Sequence, residues 1–160
     1  MNPELRTSKP TVHGGSAKPP RTYDLEERLL EFASAIIDVT ESLPSTKAAG
    51  HLGGQLVRSG TSPYGNHGEA QEPESQDDFI HKLKICLKEL RECRRWARLI
   101  DRKQWLGENV RLGFVLGEVE ELIRIFKASI KTAEQTRLRL SRKPDSIPKR
   151  RPEPGAGSTF

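Results

Sequence analysis

The stretch FIHKLKICLKELRECRRWARLI, residues 79–100, decides the fold. Phe79, Leu83, Cys86, Leu90, Cys93, Ala97 and Ile100 recur at alternating spacings of four and three. That is the apolar stripe of an amphipathic helix, sustained over three heptads. Ser75 stands just ahead with Asp78 three residues on, a capping pair in which Asp replaces the usual Glu. The pattern predicts a helix from about Gln76 to Gln104.

The same rhythm continues outward in both directions. Leu112, Leu116, Val119, Ile123, Phe126, Ile130 and Ala133 predict a helix from about Val110 to Arg139. Leu25, Leu29, Phe32, Ile36, Val39 and Leu43 predict another from about Tyr23 to Leu43, stopped by Pro44. A further segment, from about Thr46 to Ala70, lies between them. No strand alternation and no internal repeat competes with this pattern. Four amphipathic segments with short connections predict an all-α, up-down-up-down four-helix bundle.

The 160-residue chain is long enough for one domain, and its net charge of +5 comes from its ends. Residues 1–22 carry +3, residues 140–160 carry +3, and residues 23–139 carry −1. Both ends are rich in Pro, Gly, Ser and basic residues, a composition that cannot offset the entropy of ordering. The expected organisation is a disordered basic tail over 1–22, the bundle over 23–139, and a disordered basic Pro/Gly-rich tail over 140–160. PKRRPEP, residues 148–154, looks like a basic localisation patch but reads as solvated charge in such a tail.

No apolar run reaches the 18 or so residues of a membrane span, and the N-terminus lacks a secretory apolar region. The expectation is a soluble, cytoplasmic protein with no membrane partner. Cys86 and Cys93 sit on one helix, about 10 Å apart at 1.5 Å per residue, too far for a disulfide. They are expected to be buried reduced thiols.

Catalytic constellations are missing from the pattern. His13, His51, His67 and His81 are scattered, and none forms the Glu-x-x-His pair of metal-holding bundles. Glu69 and Glu72 lie three apart, but Pro73 ends the helix there, and the pair is expected to belong to the turn rather than to a catalytic site. With no strands there is no phosphate loop between a strand and a helix, and no serine has an evident His base. The chain reads as non-enzymatic, with no cofactor and no metal.

The second helical segment contains QLVRSGTSPYGNHGEAQ, residues 55–71, which is full of poor helix formers. Gly53, Gly54, Gly60, Gly65 and Gly68 each cost roughly 1 kcal/mol against Ala, and Pro63 about 3 kcal/mol in a helix interior. Gln55, Ser59, Ser62, Asn66 and Glu69 form a polar ridge beside mostly small residues. The ridge either lets a neighbouring helix approach closely, with hydroxyls and amides bonding across the gap, or forms a binding surface.

These residues also carry a resemblance. Gln55, Arg58, Ser59, Ser62, Asn66 and Glu69, followed by Phe79, Leu83, Lys88, Glu89 and Glu92, resemble the pattern of a bacterial four-helix-bundle family known for 23S rRNA intervening-sequence proteins. The likeness spans about residues 23–135. That family is similar to the accessory protein of diversity-generating retroelements, a basic pentameric barrel that binds nucleic acid and a reverse transcriptase. The resemblance implies a ring-shaped homo-oligomer, in the first instance a homopentamer. This chain departs from that accessory protein in that its folded part is neutral.

The predicted third helix carries nine Lys/Arg and three acids between Phe79 and Trp105. Lys84, Lys88, Arg91, Arg95, Arg98 and Arg102 fall opposite the apolar stripe, uninterrupted by an acid. Such a line suits phosphates along a nucleic-acid backbone, whether RNA or DNA, with little sequence preference. Trp96 and Trp105 could stack on bases or pack in the bundle. Asp24, Glu26, Glu27, Glu31, Asp38 and Glu41 make the first helix acidic, so the basic stripe could equally meet it across a subunit boundary. Ile80, Ile85, Leu87 and Leu99 widen the apolar face of the third helix and point to a second contact surface.

The expected function is therefore that of a non-catalytic, homo-oligomeric nucleic-acid-binding accessory or scaffold protein. The alternative is a protein–protein adaptor, for instance a partner of a retroelement reverse transcriptase.

Overall fold

The structure, a computed structural model, describes residues 24–142. The expected tails lie outside the described residues apart from Leu140–Arg142. Four helices follow one another: α1 (Leu25–Glu41), α2 (Lys47–Ala70), α3 (Gln76–Lys103) and α4 (Val110–Ser141). Among the described residues there is no strand.

Each helix begins where a side chain takes up a free backbone N–H. Asp24 accepts from Glu27, Thr46 from Ala49, Ser75 from Asp78 and Asn109 from Leu112, at 3.0–3.2 Å. The Ser75–Asp78 pair is only half of the expected box. The Asp78 carboxylate accepts from the Glu74 N–H, since its side chain is one methylene shorter than Glu. α1 starts at Leu25, behind its cap, and ends two residues before Leu43. Leu43 precedes Pro44, which disfavours helical geometry there. α3 closes through Gln104 in the left-handed region at φ 54°. α4 runs two residues past the expected Arg139.

The helices form an antiparallel ring in which α1 packs on α2 and α4, and α3 packs on α2 and α4. α1 and α3 therefore stand at opposite corners. The four–three stripes turn inward as expected: Phe32, Ile36, Val39, Leu90, Cys93, Ile100, Val119 and Phe126 are fully buried. Leu25, Leu43, Phe79 and Leu116 pack partly buried against that core. His67 of α2 joins it, edge-on to Phe126 across the centre with ring centroids 6.3 Å apart.

α2 is continuous through Pro63, which is itself buried in the core. Its glycines divide into two sets. A Cβ on Gly53 would lie 3.0 Å from Thr40, and one on Gly60 would lie 2.7 Å from Ile36, so these two allow α1 to come close. Gly50, Gly54, Gly65 and Gly68 face open space. The expected close approach thus accounts for two glycines and leaves the outer four without a packing role inside the chain.

The polar ridge also differs from expectation. Ser59 Oγ donates to the Gln55 carbonyl at 2.8 Å, Thr61 to Val57 at 2.8 Å, and Asn66 to the Ser62 carbonyl at 3.0 Å. These short side chains, with Thr61 beside the ridge, bond back to their own helix one turn earlier, while the Ser59 hydroxyl also meets the Cys93 thiol of α3. The bond that does cross to the Pro63 carbonyl comes from the Cys86 thiol of α3, at 3.6 Å. Both cysteines are free and buried, and burial pushes both thiols up to about 12.

Candidate nucleic-acid interface

α3 presents two kinds of surface besides its core stripe. Its flank toward α4 is neutralised by ion pairs. Lys84 meets Glu134 at 2.7 Å and Arg94 meets Glu120 at 3.1 Å. The bond from Lys84 holds the Glu134 carboxyl below its usual range. Its flank toward α2 is stitched by the ridge residues that carry charge: Arg58 to Glu92 at 3.3 Å, and Glu69 to Lys82. Gln55 in turn accepts from Arg58 at 2.8 Å. Ser59 is fully buried, and Ser62 and Asn66 are half-buried. The family-pattern ridge therefore lies along the α2–α3 seam.

Between those flanks lies the outward face. Lys88, Arg91, Arg95, Arg98 and Arg102 are all exposed there. None of these five has an acidic side chain within salt-bridge distance among the described residues. The sequence line of six is thus split: Lys84 is engaged by α4, and five cations face solvent. From Lys88 to Arg102 they span about 21 Å at 1.5 Å per residue.

An open groove of about 520 Å³ lies on this face, lined by Lys88, Arg91, Glu92, Arg95, Trp96 and Leu99. Lys88, Glu92, Arg95 and Leu99 follow one another at steps of four and three, with Arg91 and Trp96 alongside, so the set shares one side of the helix. Trp96 packs partly buried against the core, and its indole N–H donates to Glu92 at 3.2 Å. Leu99 is 41% exposed. Trp105 sits instead at the α3–α4 turn, with the Lys103 ammonium 5.8 Å from its ring centre. The expected widening of the apolar face proves narrower than the sequence suggests. Ile80 and Leu87 are buried in the core and Ile85 is half-buried, so Leu99 alone of the four is exposed.

The acids of α1 turn out to be partly engaged by α4. Arg111 holds both Glu31 at 2.8 Å and Asp38 at 3.1 Å; in the reverse sense, Arg28 of α1 holds Glu118 of α4 at 2.6 Å. Sequence reasoning missed Arg111 because nothing local ties position 111 to α1; the bundle topology brings them together. Among the described residues no three His, Cys, Asp or Glu side chains gather as a metal site. None of the described helices is long and apolar enough to cross a membrane.

The comparison with protein families decides the relationship. The model for 23S rRNA-intervening sequence protein matches residues 21–128. The chain belongs to that family. Among solved structures it is similar to a protein of unknown function from the S23 ribosomal protein family of Bacteroides thetaiotaomicron. The two are 30% identical with a TM-score of 0.60, over 66% of this chain and 97% of that one. Comparison with curated proteins gives no match. The resemblance first drawn from the ridge and the third helix is thereby established across most of the bundle of this 23S rRNA-intervening sequence family member.

Proposed function

We propose that this family member is a cytoplasmic, non-catalytic, self-assembling scaffold that binds nucleic acid along the outward face of α3. The observation that carries this reading is the row of five exposed cations from Lys88 to Arg102 with no acidic partner among the described residues. An ordinary solvated helix face interleaves acids with bases; here the acids of α3 lie on its flanks or near its ends. A row about 21 Å long can follow several successive phosphates, giving salt-sensitive and largely sequence-blind binding.

Opposite placement of acidic α1 and basic α3 supports a second reading, in which the two faces join neighbouring copies or a protein partner such as a reverse transcriptase. Against it, Glu31 and Asp38 are engaged by Arg111. That leaves Asp24, Glu26, Glu27 and Glu41 to balance five cations.

Charge reversal separates the two readings. The triple variant Arg91→Glu, Arg95→Glu, Arg98→Glu is expected to lose nucleic-acid binding in a salt-series titration while keeping its oligomeric state by light scattering. Dissociation of the oligomer by the same variant would instead favour the interface reading.

A further inference from the structure

The groove on α3 holds more than phosphate-binding charge. Lys88, Arg91 and Arg95 line it together with Trp96 and Leu99, so apolar surface lies among the cations. A helix face that met only the outside of a duplex would have no use for an indole there, because a duplex keeps its bases stacked inside and shows phosphates. A single strand can do both things at once, laying phosphates on the cations and turning a base onto an aromatic ring.

The indole is held for such a role. Its N–H is engaged by Glu92, which also accepts from Arg58 at 3.3 Å. Arg58 in turn bonds Gln55 at 2.8 Å. This chain, Gln55–Arg58–Glu92–Trp96, runs from the α2 ridge to the groove and fixes one edge of the ring. What Trp96 has left to offer a ligand is its π-surface, and Leu99 continues that surface one turn along.

We propose that this groove is a stacking site for an unpaired base, which makes the target single-stranded or looped nucleic acid rather than continuous duplex. The proposal rests on the reading of α3 as a nucleic-acid surface. It also assigns a role to the family-pattern residues Gln55 and Arg58, as positioning residues that hold Glu92 and, through it, the indole.

The test uses the full chain carrying Trp105→Phe, so that Trp96 is the sole indole emitter. This protein is titrated with an unstructured single strand and with a hairpin duplex of the same composition. The expected result is saturable quenching of Trp96 emission by the single strand. Adding Trp96→Leu should weaken single-strand binding by about tenfold, leave duplex binding unchanged, and leave the salt slope unchanged because no phosphate contact is lost. Trp96→Phe, which keeps a ring, should recover most of the loss, and thermal melts establish that each variant is folded. Equal losses on strand and duplex, or no loss at all, would overturn the stacking site while leaving the phosphate surface standing. Emission that shifts with protein concentration alone would also overturn it, by showing that a second copy covers the groove. If neither ligand binds the parent protein, the nucleic-acid reading itself falls and takes this proposal with it.

Discussion

Gly60 and Ile36 are in contact so close that a Cβ at position 60 fits only if the seam shifts. A Cβ at position 60 would lie 2.7 Å from Cγ1 of Ile36 and 2.9 Å from both its Cγ2 and Cδ1. Ile36 is fully buried and β-branched, so its side chain cannot swing away. Gly60→Ala gains helix propensity but overpacks the α1–α2 seam, for an expected net destabilisation of about 1 kcal/mol. In an Ile36→Ala background the clash is gone, and the same substitution should become neutral or stabilising. Urea denaturation of the four proteins in that cycle measures the coupling. Additive effects would show that the seam relaxes freely.

The outer glycines of α2 behave oppositely. Gly54, Gly65 and Gly68 have nothing within 4 Å of an added Cβ. Each single change to Ala is expected to raise stability by about 0.5–1 kcal/mol, since only helix propensity is at stake. A change at one of these positions that lowers stability at high protein concentration, but not on dilution, would reveal another molecule packed against that face.

How far the sequence foretells this bundle depends on the kind of information required. The four–three spacing of Phe79 to Ile100 needs only local periodicity, and the cores of α1, α3 and α4 follow from it. Glycine roles in α2 do not, because facing α1 or facing solvent depends on helix rotation that poor apolar contrast leaves open. Hydrogen bonding of Asn66 departs from expectation because a short polar side chain reaches its own helix as easily as a neighbour, whereas Ser59 does both. The basic row on α3 is legible in position, but Lys84 is separated from the others only by Glu134, fifty residues away in sequence. Likewise the groove needs the placement of Trp96 against Glu92, which no spacing rule supplies.

His67 should make the bundle weaken on mild acidification. Burial lowers its pKa below the usual 6.5, with Glu26 and Asp24 opposing the shift. The unfolded chain therefore takes up a proton near pH 6.5 that the folded chain refuses until lower pH. That difference removes stability as pH falls through this window, while above it the contribution is fully present. Nδ1 of His67 is buried with no hydrogen-bond partner among the described residues, consistent with a site unsuited to a charged ring. Denaturant midpoints between pH 7.5 and 5.5 should drop less for His67→Leu than for the parent protein. Equal slopes would mean that other groups set the acid response.

The two inter-helix arginines on the α1–α4 seam should differ in worth. Arg28 meets Glu118 at 2.6 Å, with the Glu118 side chain only 14% exposed. Arg111 bridges Glu31 and Asp38 with all three side chains close to half exposed. Screening by solvent reduces the second set to at most about 1 kcal/mol. Removing Arg28 strands a largely buried carboxylate, at an expected cost of about 1.5–3 kcal/mol. Arg28→Met and Arg111→Met, compared by thermal melts at low and high salt, check both the ranking and the stronger salt sensitivity expected for Arg111.

Within the basic row, Lys84 and Arg91 should not contribute equally to nucleic-acid binding. Both lie on the same side of α3, opposite the apolar stripe. Lys84, however, already holds Glu134 at 2.7 Å, whereas Arg91 has no acidic partner among the described residues. A phosphate approaching Lys84 must displace a carboxylate, so the gain there is the difference between two ion pairs. At Arg91 the phosphate replaces only water and counterions. Arg91→Gln should therefore weaken binding and lower the slope of log affinity against log salt by about 1, the amount for one lost phosphate contact. Lys84→Gln should move the slope far less. Glu134→Gln releases the lysine and should raise affinity, an effect that Lys84→Gln then abolishes. Equal slopes for the two single variants would mean that nucleic acid reaches past the outward face onto the α3–α4 flank.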